Sequence, residues 1–176
     1  MRDAERDREF TEFVTEHRDT LLRIARLLAA GDEAAAEDVV QTTLTRLYVK
    51  WRHVRRADNR LGYARASLTH TYVDETRRAH RRRETTVERA VGEREDAQVT
   101  TYDGELRAVV VEALASLAPR QRAVVVLRHW LDLDVAETAR VLGCSAGTVK
   151  SQNARALATL RDALAPTVRP TPEETR

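Results

Sequence analysis

The sequence of 176 residues is poor in the features that build cross-links and membrane spans. Its single cysteine, Cys144, cannot form a disulfide within the chain and cannot by itself build a zinc site. No apolar run approaches the roughly 18 residues that a membrane helix needs. The N-terminus, MRDAERDREF, lacks the apolar stretch of a signal peptide. These absences predict a cytoplasmic protein with no membrane insertion, no metal and no cofactor.

Turn-forming residues and catalytic groupings are equally scarce. Six glycines and four prolines leave little for turns, whereas Ala, Leu, Arg and Glu dominate, which favours an all-α fold. The five histidines are scattered, no glycine-rich loop could cradle a phosphate, and no nucleophile is paired with a base. The sequence therefore gives little support to an enzyme, and Cys144 is interpreted as a small turn residue rather than a redox switch.

Basic and acidic residues are segregated along the chain, although the formal net charge is only +2. Residues 46–83 hold twelve Lys and Arg against three Asp and Glu, a net charge of +9. Residues 84–112 hold three basic residues against eight acidic ones, a net charge of −5. Such a pair of blocks is typical of a polyanion-binding module joined to a segment that repels polyanions. Two solvated helix faces of opposite sign would also explain the charge runs alone.

Three amphipathic helices are predicted in residues 8–83, enough to bury one small core. The first covers residues 8–30 and stops at Gly31, after which Asp32 can cap the second. The second helix carries an apolar stripe that ends at Trp51, and a polar stretch without periodicity follows at residues 52–60. The third covers about residues 61–82. Projected as a helix, it has one side with Leu61, Ala64, Leu68 and Tyr72 and an opposite, mostly basic side with Tyr63, His70, Asp74, Arg77 and Arg81.

A second group of helices is predicted after an exposed linker at residues 84–104, which lacks a hydrophobic stripe. One helix covers residues 106–117, and another starts at Pro119 and runs to about residue 131. The tail at residues 166–176 contains several prolines and is predicted to be disordered.

The segment VAETARVLGCSAGTVKSQNARALATL, residues 135–160, has the spacing of a helix-turn-helix. This motif needs a small residue where the helices touch, a glycine at the turn and an apolar residue early in the second helix. Ala139, Gly143 and Val149 occupy those places, and Ser145 is placed to cap the second helix. An ordinary pair of packed helices is the alternative interpretation.

The second helix of this motif favours DNA reading over that alternative. Projected from Val149, its buried side holds Ala156, Leu157, Leu160 and Leu164, and its opposite side holds Thr148, Lys150, Ser151, Arg155 and Arg161. Small and polar residues with scattered cations suit a helix in the major groove, where Lys and Arg reach phosphates or guanine and an outward Gln152 pairs with adenine. Asn153 projects into the buried stripe, and the sequence offers no explanation for it.

Together the two groups of helices resemble the extracytoplasmic-function sigma factors, which keep only domains two and four of the sigma family. AAEDVVQTTLTRLYVKW, residues 35–51, resembles the segment that docks on the clamp helices of RNA polymerase. GYARASLTHTYVDETRRAHRRR, residues 62–83, resembles the −10-reading helix. LASLAPRQRAVVVLRHWLDLDVAETARVLGCSAGTVKSQNARAL, residues 114–157, resembles domain four and carries the most specific part of the likeness.

The resemblance implies two small helical domains joined by a flexible acidic linker: sigma domain 2 at residues 8–83, the linker at residues 84–104 and sigma domain 4 at residues 105–165. Such a protein is not an enzyme but a specificity subunit. It binds core RNA polymerase through the clamp helices of β′ and the flap of β, recognises the −10 and −35 promoter elements and directs transcription initiation. Family members are commonly held by an anti-sigma factor, so the resemblance implies one as a candidate partner.

The resemblance also implies residue roles. The polymerase-binding positions are Asp38, Gln41, Thr42, Leu44 and Leu47. The −10 positions are Asn59, Arg60, Tyr63, His70, Asp74, Arg77, Arg78 and Arg81, and the irregular stretch at residues 52–60 would hold a base flipped from the −10 strand. The −35 positions are Ser145, Thr148, Lys150, Ser151, Gln152 and Arg155.

Four positions depart from the family's pattern and bear on base preference and docking strength. The family often has Asn at His70, Arg near Gln152, an apolar residue at Asn153 and Glu at Thr42. The alternative function is a stand-alone helix-turn-helix regulator. Such proteins usually dimerise to span two half-sites, and no long apolar helix is left over here for a dimer.

Overall fold

The computed structural model describes residues 2–85 and 102–165, and these residues are helical with short turns. The N-terminal unit consists of α1 (Arg2–Leu28), α2 (Glu33–Val49), α3 (Trp51–Val54) and α4 (Arg60–Thr85). The C-terminal unit consists of α5 (Tyr102–Ala115), α6 (Pro119–Val125), a π-helical turn (Val126–Trp130), α7 (Val135–Leu142) and α8 (Ala146–Leu164). Most of the predicted linker, residues 86–101, and the whole predicted tail, residues 166–176, lie outside the described residues.

The turn between α1 and α2 forms as its residues predict. Gly31 has a φ of +83°, a left-handed conformation that glycine adopts without a Cβ clash. The side chain of Asp32 accepts a hydrogen bond from the backbone N–H of Ala35 at 2.9 Å, which caps α2.

The stretch predicted to lack periodicity, residues 52–60, was wrong at its start. Trp51 and Val54 are buried and anchor the short helix α3 there.

Helix α4 is buried along more of its surface than its sequence predicts. Ala64, Leu68 and Tyr72 are buried as expected. Thr69 and Val73 are buried as well. Together with Arg65 they follow one another at four-residue steps and so form a second side of the helix. The Thr69 hydroxyl donates to the carbonyl of Arg65 at 3.0 Å and is satisfied, whereas the buried Nε of Arg65 on the same side has no hydrogen-bond partner among the described residues. This second side gives α4 two packing surfaces.

The helix that begins at Pro119 widens before it ends. The helical run extends to Trp130, close to the predicted end near residue 131, but its last five residues, Val126–Trp130, form a π-helical turn. The backbone N–H of Leu131 donates to the carbonyl of Val126 at 3.0 Å, and the Arg128 guanidinium donates to the carbonyl of Leu133. A π turn inserts an extra residue into a helix and is often found at functional sites.

The two units share a hydrophobic core instead of having separate ones. One continuous cluster joins Leu28 and Leu68 of the N-terminal unit to Ala123, Val124 and Leu127 of the C-terminal unit. Helix α4 contacts both α6 and α7, and this contact accounts for its second buried side. A smaller cluster lies within the C-terminal unit, with Leu114, Leu117, Val125 and Ala156 as its buried members.

Candidate nucleic-acid interface

The helix-turn-helix is built from α7, α8 and the turn between them. The side chain of Asp134 accepts from the N–H of Glu137 at 2.7 Å, and the Glu137 side chain accepts from the N–H of Asp134 at 2.9 Å, which fixes the start of α7. Gly143 ends α7 with a φ of +59°. Ala139 and Val149 are buried, as the motif requires. The predicted motif therefore forms, and the residues at its turn and at its helix contact have the expected roles.

The hydroxyl groups at the start of α8 form hydrogen bonds with the backbone and with one another. The Ser145 Oγ accepts from the backbone N–H of Thr148 at 3.1 Å, so Ser145 caps α8 as predicted. The hydroxyls of Ser145 and Thr148 lie 2.9 Å apart, and the Ser151 hydroxyl donates to the carbonyl of Thr148 at 3.0 Å. These three predicted −35 residues therefore fix the N-terminal turn of α8, and their remaining lone pairs can accept hydrogen bonds from DNA.

The cations of α8 extend from the protein surface into solvent. Lys150 and Arg155 are exposed, and Gln152 is half-buried. Within the residues that the structure describes, neither Lys150 nor Arg155 has an ion-pair partner. Both cations can therefore reach a phosphate or a guanine edge without first breaking a contact.

The structure explains Asn153 and corrects the prediction for Leu157. The Asn153 Oδ1 lies 2.9 Å from the Nε2 of His129, in the π-helical turn, so the imidazole N–H donates to the amide oxygen. Sequence reasoning missed this pair because the two residues are 24 positions apart. Leu157, predicted to be buried, is 39% exposed, whereas its neighbour Ala156 is fully buried against the smaller cluster.

The predicted −10 face of α4 carries exposed arginines and His70. His70, Arg77, Arg78 and Arg81 are exposed, and Asp74 is half-buried. His70, Arg77 and Arg81 lie opposite the buried residues Ala64 and Leu68, as the helical projection predicts, whereas Arg78 lies about 100° around the helix from Arg77. Exposed cations on successive turns of one helix form a track that suits a single nucleic-acid strand.

The turn before α4 places the remaining −10 residues. The Asn59 side chain accepts from the N–H of Gly62 at 2.6 Å, which leaves its amide N–H groups to donate elsewhere. The Arg60 side chain donates to the carbonyl of Arg55 at 3.1 Å. Tyr63 lies edge-on to His53, with ring centroids 6.0 Å apart. His53 was not among the predicted residues, and its place beside Tyr63 adds an exposed ring to this region.

The predicted polymerase-binding residues divide into a surface set and a core set. Asp38 and Gln41 are exposed and Thr42 is half-buried. Leu44 and Leu47 are buried at 8% and 1% exposure, so in this structure they belong to the core of the N-terminal unit. Val49, at the end of α2, was not among the predicted residues and is a large apolar residue with 78% of its surface accessible.

No helix in residues 2–85 or 102–165 combines the length and apolar character of a membrane span.

Comparison with known proteins assigns both helical units to one protein family. The model of sigma-70 region 2 matches residues 13–82, and the model of sigma-70 region 4 matches residues 107–160. The chain is 44% identical to an RNA polymerase sigma-E factor of Streptomyces avermitilis, over 89% of this chain and 85% of that protein. It is 34% identical to the ECF RNA polymerase sigma factor SigL of Mycobacterium tuberculosis, over 83% of each.

Solved structures show the same fold. The sigma factor RpoE of Bartonella quintana, determined in complex with the anti-sigma factor NepR, superposes with a TM-score of 0.72 at 22% identity. That match covers 89% of this chain and 97% of RpoE. CnrH, determined in complex with the cytosolic domain of CnrY, superposes with a TM-score of 0.56 at 24% identity, over 93% of this chain and 91% of CnrH. The chain belongs to the sigma-70 family and is an ECF RNA polymerase sigma factor, which binds core polymerase and promoter DNA to direct transcription initiation.

Proposed function

We propose that this sigma factor grips its promoter at two points, with α8 reading the −35 element and α4 holding the −10 strand. The observation that carries the proposal is the presence of two exposed cationic helix faces on separate units of one chain. The face on α8 mixes cations with an amide, whereas the face on α4 carries three exposed arginines, Arg77, Arg78 and Arg81, toward its end. The first composition suits base-edge readout and the second suits backbone tracking.

At the −35 element, Lys150 and Arg155 make the base and phosphate contacts, and Gln152 adds an amide that can pair with adenine. Ser145, Thr148 and Ser151 fix the N-terminal turn of α8 through their own hydrogen bonds. His129 supports the same helix from the π-helical turn through Asn153. The recognition helix is thus held at its start by a cap and near its middle by a neighbouring turn.

At the −10 element, the cations of α4 follow the phosphates of the opened strand and the turn before α4 receives an unstacked base. Arg77, Arg78 and Arg81 supply the positive track. Tyr63 and His53 offer ring faces and edges on which a base can stack. Asn59 and Arg60 shape this turn through their backbone hydrogen bonds.

Core polymerase docks on the exposed side of α2. Asp38, Gln41, Thr45 and Val49 follow one another at three- and four-residue steps and are all exposed. Leu44 and Leu47 support this row from the core beneath it. An Asp38→Arg variant is expected to lose co-purification with core polymerase by 10-fold or more (~1.4 kcal/mol per tenfold). The matched Asp19→Arg change on α1 should retain it, and equal retention by both variants would remove α2 as the docking surface.

The remaining parts of the proposal concern the chain as a whole. Sigma domain 2 occupies residues 8–83 and sigma domain 4 occupies residues 105–165, with an acidic linker at residues 84–104 between them. The protein works in the cytoplasm and has no catalytic activity of its own, because polymerase carries out the chemistry. An anti-sigma factor restrains it, by analogy with the complexes in which RpoE and CnrH were determined.

Run-off transcription with reconstituted holoenzyme tests the division of labour between α8 and α4. Lys150→Ala and Arg155→Ala should each cost about 1–3 kcal/mol at one base position and relax discrimination there. Arg77→Ala and Arg81→Ala should weaken all sequences alike and flatten the salt dependence by roughly 0.7 per lost strand contact. Arg8→Ala, an exposed cation of α1, is the control.

The opposite assignment has a clear signature in the same assay. If the α4 variants change base preference and the α8 variants change only salt dependence, the two roles are exchanged. If neither pair of variants alters promoter use, both faces are misassigned.

A further inference from the structure

A cavity lies where α1 and α4 meet the π-helical turn. Its volume is about 480 Å³, within the range of about 300–1,000 Å³ that is usual for small-molecule sites. None of its lining residues has been assigned above to promoter DNA or to polymerase. They include a hydroxyl, two cations, an aromatic ring, an apolar side chain and a carboxylate: Thr20, Arg23, Arg65, Trp130, Leu131 and Asp132.

Arg65 brings an unsatisfied donor to this cavity. The side chain is half-buried, and its buried Nε has no hydrogen-bond partner among residues 2–85 and 102–165. No acidic side chain in those ranges forms an ion pair with its guanidinium. A buried donor without an acceptor is unfavourable. A phosphate or carboxylate oxygen that enters the cavity would satisfy it, because the planar guanidinium matches the geometry of such anions.

Arg23 adds a second cation at the exposed side of the cavity. Its Nη2 donates to the Thr20 hydroxyl at 3.1 Å, which orients the guanidinium and leaves its other N–H groups available. Within the part of the chain that the structure describes, Arg23 also lacks an ion pair, and Asp132 lies beyond ion-pairing distance of both arginines. Two cations without a counter-ion suit a phosphate group.

The end of the π-helical turn contributes a ring and a carboxylate. Trp130 is 60% exposed, whereas Trp51, the other tryptophan of the chain, is fully buried. An exposed aromatic ring can stack on a nucleobase. Asp132 has a φ of +52°, a conformation that is uncommon for a residue other than glycine and that is often found at ligand-binding sites. Its carboxylate can accept hydrogen bonds from the N–H groups at the edge of a base.

We propose that this cavity binds a nucleotide, with the phosphate on Arg65 and Arg23, the base stacked on Trp130 and the N–H edge of the base on Asp132. Guanine is the expected base, because it presents two adjacent N–H donors to a carboxylate. Inorganic phosphate would leave the ring of Trp130 uncovered, and an apolar ligand would leave both arginines without a counter-ion.

This site is separate from the proposed promoter-reading surfaces. Arg65 lies about 120° around α4 from Arg77 and about 160° from Arg81. The inference therefore goes beyond the proposed function and does not depend on the roles of α4 and α8. It can be tested without polymerase or DNA.

Titration of the full-length chain with GMP tests the proposal. GMP should quench the fluorescence of the exposed Trp130 saturably, with half-saturation below about 1 mM. A Trp130→Phe variant, which keeps only the buried Trp51, should lose the quenching and still bind GMP by calorimetry. Ribose 5-phosphate and inorganic phosphate should bind at least 10-fold more weakly, because neither covers the ring. Absence of GMP binding, or equal calorimetric affinities for GMP and inorganic phosphate, would overturn the proposal.

Substitutions of single arginines locate the site. Arg65→Ala and Arg23→Ala should each weaken GMP binding at least 10-fold, and because Arg23 is exposed, its variant remains informative if loss of Arg65 disturbs folding. Arg77→Ala, an exposed arginine on another side of α4, is the matched control and should keep the affinity of the parent chain. Unchanged binding by both cavity variants, or an equal loss in Arg77→Ala, would contradict a site in this cavity.

Discussion

The two units hold their helices together in different ways. In the N-terminal unit, ion pairs join α1 to its neighbours: Arg18 with Glu37 at 2.7 Å, Arg26 with Glu33 at 2.8 Å and Arg55 with Glu9 at 3.1 Å. In the C-terminal unit, local caps define the bounds of α7 and α8, with Asp134 and Ser145 at their starts and Gly143 at the end of α7.

The ion pairs of the N-terminal unit and the caps of the C-terminal unit therefore contribute differently to the arrangement of the helices and to their stability. Ion pairs that are partly exposed contribute about 0–1 kcal/mol each, so those around α1 mainly fix which helix lies beside which. The same pairs engage acids of α1 and α2 with Arg18 and Arg26 of α1 and with Arg55, which follows α3, while Arg77, Arg78 and Arg81 of α4 stay exposed. A cap contributes about 0.5–2 kcal/mol and determines where a helix begins. The recognition helix therefore depends on a few residues next to it in the chain.

The largest expected effect comes from Arg122, where the two units meet. Arg122→Ala leaves carbonyls at the ends of α1 and α5 without their charged donor, and we expect a loss of about 3 kcal/mol or more in the free energy of unfolding. Urea denaturation measures it. Arg120→Ala, in the same turn, should lose less than about 0.5 kcal/mol, and a similar loss for both would show that Arg122 has no special structural role.

An intermediate effect is expected at the cap of α7. Asp134→Ala removes the acceptor for the Glu137 N–H, with an expected loss of about 1 kcal/mol in the free energy of unfolding of the C-terminal unit. Hydrogen exchange of α7 amides, compared with α2 amides as an internal reference, should show the loss in α7 alone. Equal changes in both helices would mean that the cap acts through the whole molecule.

The smallest effect should follow loss of an ion pair of the N-terminal unit. Glu37→Gln removes the charge that Arg18 meets, and we expect a change of less than about 0.5 kcal/mol in the free energy of unfolding. Thermal unfolding at low and high salt measures it, with Arg18→Gln and the double variant completing the cycle. A loss as large as that of Asp134→Ala would erase the distinction between the two units.

Features encoded within a few residues of one another could be predicted from the sequence. The cap by Asp32, the turn at Gly31 and the helix-turn-helix punctuated by Gly143 and Ser145 follow from local backbone chemistry, and the structure confirms them. The basic side of α4 followed from helical periodicity alone. The family was evident from these same segments.

Features that depend on distant partners could not be predicted. Periodicity cannot reveal that Asn153 meets His129, or that Arg122 reaches Leu28, because these contacts link positions 24 and 94 residues apart. The burial of Thr69 and Val73 is also a tertiary feature, since α4 contacts helices of both units. Leu44 and Leu47 were named as docking residues from the family resemblance, although both also belong to the apolar stripe of α2, which agrees with their burial.

Core-dependent transcription tests the central claim most directly. The protein is assayed with and without core RNA polymerase on a template that carries both promoter elements and on templates with either element scrambled. We predict initiation only with core polymerase and with both elements intact. Tight, sequence-specific binding of duplex by the free protein, with no transcript when core polymerase is added, would contradict the two-point account and favour a stand-alone regulator.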